Sequence, residues 1–245
     1  EDFFLACRAG AILGTLQAGY TDFKFLPDTT KDIFDREALL GVSITGWMNN
    51  PDILFNAEIL EEGANIVRQV NREVAEVIGI NAAARTTCVK PSGNASVLLQ
   101  TASGIHAEHS NMYIRNVQMN KESEVTQAIQ KTNPHMVEES VWSAGGTDVV
   151  VSFPILPKEG LMLKDELIGV DHLEKVKLAQ EHWVNAGTNE ELCADKGIRH
   201  NVSNTIIVKD WDEVESYVFK NRRSFAGISF LSSMGDKDFN QAPNT

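Results

Sequence analysis

The fold of this chain is decided by Arg85-Thr86-Thr87-Cys88-Val89-Lys90-Pro91-Ser92-Gly93-Asn94-Ala95-Ser96-Val97-Leu98-Leu99. A β-branched run leads into a Pro-Ser-Gly turn, and apolar residues suited to a helix follow it. A strand that hands over to a helix through such a turn leaves backbone N–H groups unpaired at the helix start. Gly93 permits close approach, and Ser92 and Ser96 can add hydroxyl donors, so the geometry suits an anion. The plainer reading is an N-cap turn that only starts a helix. No Gly-Lys-Ser or Gly-Lys-Thr, no G-x-G-x-x-G and no G-x-S-x-G occurs, which excludes the common nucleotide and hydrolase motifs.

Outward from this stretch the chain alternates. Asp2 to Tyr20 reads as a mostly buried helix, Leu39 to Thr45 as a short buried strand closed by Gly46, and Ile59 to Ile78 as a long amphipathic helix. Its apolar stripe is Ile59, Ile66, Val67, Val70, Val74, Val77 and Ile78. Further β-rich runs are predicted at Met112 to Met119, Asp148 to Ile155, Val202 to Val208 and Phe225 to Leu231, with helices at Glu122 to Lys131, Asp171 to Asn185 and Trp211 to Asn221. Strands separated by helices predict an α/β fold with a largely parallel sheet, either a barrel or a doubly wound sheet. No linker, repeat or low-complexity stretch divides residues 1–245, so a single domain or part of one is expected.

With 34 acidic and 22 basic residues the net charge is −12, which argues against direct nucleic-acid binding, since a phosphate polymer calls for a broad cationic face. No apolar run reaches the roughly 20 residues of a membrane span, and the start, Glu1-Asp2-Phe3-Phe4, lacks the basic region of a secretion signal, so no membrane partner and a cytoplasmic location are expected. Cys7, Cys88 and Cys193 form no C-x-x-C pair, which leaves neither a disulfide framework nor a thiolate metal site. His106, Glu108 and His109 lack the helical spacing of a zinc protease, so no metal ligand is assigned. Trp47, Trp142, Trp183 and Trp211 have no cage spacing and read as packing residues.

The segment after the turn includes Gly104-Ile105-His106 and Tyr113-Ile114-Arg115. Lys90-Pro91-Ser92-Gly93 followed by these two motifs resembles the phosphate loop and adjoining segment of adenosylcobalamin-dependent (class II) ribonucleotide reductases. The monomeric triphosphate reductases are the nearest type. The resemblance runs through Thr15 to Tyr20, Leu40 to Gly46, Asn71-Arg72-Glu73, Asn201 to Thr205 and Phe225 to Ser229. It implies that residues 1–245 are the C-terminal half of a ten-stranded α/β barrel, an excerpt of a longer chain.

In that family cobalt–carbon homolysis yields a cysteine thiyl radical that takes the ribose 3′ hydrogen and permits loss of the 2′ hydroxyl. A cysteine pair reduces the sugar, serving deoxyribonucleotide supply for DNA synthesis. The family's Asn-Pro-Cys pattern is absent, because Asn-Pro occurs only as Asn50-Pro51-Asp52 and Asn133-Pro134-His135. No catalytic residue is therefore expected within this segment, which alone should be inactive. Carried over by position, Ser92, Gly93, Asn94, Ala95 and Ser96 would hold the phosphates of a ribonucleoside triphosphate, with Lys90 adding charge. Gly104, Ile105 and His106 are expected on the adenosylcobalamin side, and a thioredoxin-type dithiol is the expected reductant. The alternatives are a noncatalytic phosphate-ligand binding domain and the large subunit of an iron-dependent reductase.

Overall fold

The computed structural model describes residues 1–93 and 95–234. In chain order the elements are α1 (Asp2–Ala18), α2 (Asp28–Glu37), β1 (Val42–Ser43), α3 (Pro51–Leu54), α4 (Ala57–Ile78), β2 (Thr87–Cys88), α5 (Ala95–Leu99) and β3 (Tyr113–Asn120). Then come α6 (Glu124–Thr132), β4 (Val137–Glu139), β5 (Asp148–Ile155), α7 (Gly169–Ala179), β6 (Ile206–Val208), α8 (Trp211–Asn221) and β7 (Phe230–Ser232). α7 passes without interruption into a π-helical turn, Gln180–Asn185.

The predicted α/β architecture is present. β1 and β2 pair in parallel with Val42 opposite Thr87, Val89 forms an isolated parallel bridge to Val202, and β6 and β7 pair in parallel with Ile206 opposite Phe230. These short pieces make one interrupted parallel ladder, joined where Val89 N–H donates to Asn201 O and Ser203 N–H donates to Val89 O. The sheets are small, and they do not form the ten strands of a complete barrel. The runs at Met112 to Met119 and Asp148 to Ile155 depart from the parallel expectation. As β3 and β5 they pair antiparallel over eight positions, with β4 on the other edge of β5, in a separate sheet of order β3-β5-β4. A β-branched run carries burial preference but not strand direction, which the connection decides.

Helices cover the ladder. α4 starts at Asn56, whose side chain accepts from Ile59 N–H, and stops at Gly79 in the left-handed conformation at φ 76°. Its buried face is Leu60, Gly63, Ala64, Val67, Val70, Asn71 and Ala75, rotated from the predicted stripe, and Val77 is exposed. The rotation follows from the close approach of α1. A side chain at Gly63 would begin 2.7 Å from the Phe3 ring and 3.2 Å from Cys7 Sγ, so small residues form the contact and the branched ones flank it. A buried amide ties the layers together: Asn71 donates to Thr15 Oγ1 (2.9 Å) and accepts from Ala83 N–H (2.8 Å). The core continues through Trp47, Val89, Ile105, Leu173, Trp183, Val202 and Ile206. None of the helices described is long and apolar enough to cross a membrane.

Candidate functional site

β2 is the pivot of the ladder, with β1 on one edge and Val202 on the other, and the Lys90–Ser96 loop leaves from its carboxyl end. In open α/β sheets this is where ligands bind, because strand ends and helix starts converge there. β2 itself is clamped from behind. Thr86 N–H and Oγ1 both donate to Gly187 O (2.9 and 2.8 Å), Thr87 Oγ1 donates to Trp183 O (2.7 Å), and Trp183 Nε1 donates to Cys88 O (3.0 Å). The clamp therefore uses the π turn and the residues just beyond it, an irregularity of the kind that recurs beside functional sites.

The loop is braced from three sides. From β1, Ser43 Oγ accepts from Lys90 N–H (2.9 Å). From the following segment, Ser103 Oγ accepts from Ser92 N–H (2.8 Å) and donates to Ser92 O (3.1 Å). From β3, Arg115 Nη2 donates to Gly93 O (3.1 Å). Within the loop Ser92 Oγ accepts from Ser96 N–H (3.0 Å), and Ser96 Oγ donates to Ser92 O. The Ser103 segment is held in turn by Thr45 Oγ1, which accepts from Gly104 N–H (2.9 Å), and by Asn49 Oδ1, which accepts from Ala102 N–H (2.9 Å).

This bracing sorts the predicted phosphate residues. Lys90, Gly93 and Ala95 are exposed at the rim, and nothing lies within 4 Å of where a Gly93 side chain would begin. Ser92 is half-buried, and its hydroxyl accepts from Ser96 N–H in the first turn of α5. Ser96 is 1% exposed, so its hydroxyl is engaged internally and is not an open donor as expected from sequence. Asn94 lies outside the described residues. Beside Lys90 a recess of about 790 Å³ opens along the outer edge of β1, lined by Ser43, Cys88, Lys90, His200 and Asn201 among others. Burial pushes the Cys88 thiol up, against the opposing influence of Lys90, so it remains protonated.

Gly104, Ile105 and His106, expected on the cobalamin side, are engaged with the loop and the core in this structure. Gly104, at φ 55°, sits so close to the loop that a side chain would begin 3.0 Å from Lys90 O, and this backbone contact is what requires glycine. Ile105 is 0% exposed in the core. His106 has both ring nitrogens engaged, Nδ1 with Ser103 O (3.1 Å) and Nε2 accepting from Thr205 N–H (3.0 Å). That acceptor role places the proton on Nδ1, and burial lowers the pKa so that the ring is neutral. The segment thus braces the loop, and no step is assigned to a cofactor through it.

Sequence reading missed a neighbouring polar group. Glu108 is 7% exposed, and burial raises its pKa, with Tyr113 and Arg115 acting in the opposite direction. Burial and the Glu108 charge raise the Tyr113 hydroxyl. The His109 ring packs against Tyr113 in a tilted arrangement with centroids 5.2 Å apart, and its Nδ1 lies 3.2 Å from Lys164 Nζ. The signal available was Tyr-Ile-Arg itself, since alternation along a strand places Tyr113 and Arg115 on one face.

The fold and site define a class: an α/β protein with a braced, glycine-containing loop at the carboxyl end of a parallel ladder. Within that class, the sequence is 24% identical over 169 residues to an adenosylcobalamin-dependent ribonucleoside-triphosphate reductase of Euglena gracilis, covering 68% of this chain and 23% of that protein. It is 26% identical over 172 residues to a probable enzyme of the same description from Dictyostelium discoideum, covering 68% and 22%. A crystal structure of a B12-dependent (class II) ribonucleotide reductase superposes with a TM-score of 0.64 at 17% identity, covering 86% of this chain and 32% of that one. No protein-family model matches. The likeness to class II reductases read from the motifs is therefore borne out, and the chain spans about a quarter of the length of these curated relatives.

Proposed function

We propose that the chain is the C-terminal half of the catalytic barrel of an adenosylcobalamin-dependent ribonucleoside-triphosphate reductase and supplies its substrate phosphate loop. The observation that carries this is the braced turn at the end of β2, which holds Gly93 and Ala95 at the rim beside Lys90. The half-barrel reading is supported by the ladder's two ends. Among the described residues β1 pairs only with β2 and β7 only with β6, which leaves two strand edges open for the rest of a closed sheet. Exposed Leu13 and Tyr20, on and just beyond α1, line the recess along the β1 edge, as apolar side chains of a covered surface would.

The complete enzyme would replace the 2′ hydroxyl of a ribonucleoside triphosphate with hydrogen, release water and oxidise a thiol pair to a disulfide. A thioredoxin-type dithiol would restore that pair in the cytoplasm. The contribution derived for this chain is anchoring. Backbone N–H groups at the loop and the Lys90 charge offset the repulsion that a protein of net charge −12 exerts on a polyanion, and they fix the ribose relative to the reacting groups. No residue of this chain is assigned to the cobalamin.

Ser92→Asp tests the loop with little risk to the fold, because the aspartate carboxylate can accept from Ser96 N–H in place of the serine hydroxyl. In the complete polypeptide it places a carboxylate where the phosphates would lie. Triphosphate affinity is expected to fall by about 1.5–3 kcal/mol in equilibrium titration. Unchanged affinity would remove the phosphate role.

A further inference from the structure

Arg115 reaches the loop from a different sheet. It stands on β3, paired opposite Phe153 in an eight-position antiparallel ladder, the longest among the described residues, which anchors its backbone. From there Nη2 donates to Gly93 O at 3.1 Å. The guanidinium also interacts with the Tyr113 hydroxyl, whose other neighbour is the buried Glu108 carboxylate. All three line a cavity of about 250 Å³ together with Ser96 and Thr101. Glu108, Tyr113 and Arg115 thus form a relay from the buried interior to one carbonyl of the loop.

That carbonyl belongs to the residue least able to hold its own orientation. Gly93 has no side chain, touches nothing within 4 Å where one would be, and has access to both senses of φ. A peptide group presents its oxygen on one side and its N–H on the other, so rotation of the plane exchanges a donor for an acceptor at the same point in space. An oxygen facing the site would repel an anion.

We infer that Arg115 is a positioning residue for the phosphate loop: it holds the Gly93 carbonyl toward β3 and so keeps that oxygen from turning to face a bound anion. Tyr113 and Glu108 fix the guanidinium that does this. The inference rests on the proposed reading of the loop. Arginine suits the task because its planar fork can serve the carbonyl and Tyr113 together, which a lysine ammonium on a flexible stem does not reproduce.

The test uses the complete polypeptide and two ligands, a ribonucleoside triphosphate and the corresponding unphosphorylated nucleoside, with equilibrium Kd values for Arg115→Met, Arg115→Lys and Tyr113→Phe. Arg115→Met is expected to raise the triphosphate Kd about ten-fold and to leave the nucleoside Kd unchanged. Arg115→Lys should recover part of that loss, and Tyr113→Phe should cost about three-fold, since it loosens Arg115 without removing it. A triphosphate Kd within about two-fold of the unmodified protein in Arg115→Met overturns the inference; the loop reading survives if Ser92→Asp still weakens binding. Equal losses for both ligands would show a general folding role and overturn it too. If Ser92→Asp is also silent, the loop reading falls and the inference with it.

Discussion

Arg85 shows how much one side chain carries beneath the site. It lies two residues before β2 at 5% exposure, with Nη1 donating to Glu37 Oε2 (2.8 Å) and Nε donating to Ile198 O (3.0 Å). Burial alone would raise the Glu37 carboxyl, but the hydrogen bond and charge of Arg85 outweigh it and hold the pKa below the usual carboxylate range. Arg85→Met leaves the buried Glu37 carboxylate to the half-exposed Arg36 at 3.3 Å, with an expected loss of about 3 kcal/mol in denaturant unfolding. His172 gives a pH signature of its own. Burial, the neighbouring His106 and other contacts lower its pKa from 6.5 to about 3, and Nε2 lies 3.1 Å from Ile105 O. The unfolded chain takes up this proton at a higher pH than the folded one. Stability should therefore be complete above pH 6.5 and decline as the pH falls toward 3, by up to about 1.4 kcal/mol per pH unit from this residue. His172→Gln should flatten that part of the stability curve, and an unaltered slope would contradict the assignment. Neither partner of Arg85 nor the burial of His172 was legible in the sequence, because pairing across 48 residues leaves no local pattern.

At the scale of elements, the clamp behind β2 matters most. A side chain at Gly187 would begin 1.9 Å from Thr87 Oγ1, a hydroxyl already committed to Trp183 O, so nothing nearby can yield cheaply. Gly187→Ala should cost about 3 kcal/mol or more in thermal or denaturant unfolding and should weaken nucleotide binding through displacement of β2. Substitution at Gly146, which has open space around it, should cost less in the same assay despite its φ of 62°. Helices with strong caps and periodic faces were legible: α4 and α8 lie close to their expected bounds, and Asp210 caps α8 by accepting from Glu213 N–H. α2 was not anticipated, because Asp28–Glu37 is polar and lies largely on the surface. The π turn and the antiparallel β3-β5-β4 sheet were also hidden. Both depend on what the segment packs against, which periodicity does not record. The loop position was legible, but the inward turn of Ser96 and the bracing role of Gly104 to His106 were not. A motif states which residues gather, not which of their atoms remain free.

Across the whole molecule the parallel ladder ends on two open edges among the described residues, and exposed apolar side chains on and beyond α1 lie beside one of them. Its likeness to a class II reductase covers 86% of this chain but 32% of that structure; under the proposed function, closure of the sheet is expected from the rest of the enzyme. The most direct measurement is a structure of the complete polypeptide with a ribonucleoside triphosphate bound. The account predicts phosphate oxygens within about 3.2 Å of the backbone nitrogens of the exposed Gly93 and Ala95, with the Gly93 carbonyl still held by Arg115. Phosphates bound elsewhere on the protein, with this turn free of ligand, would contradict it.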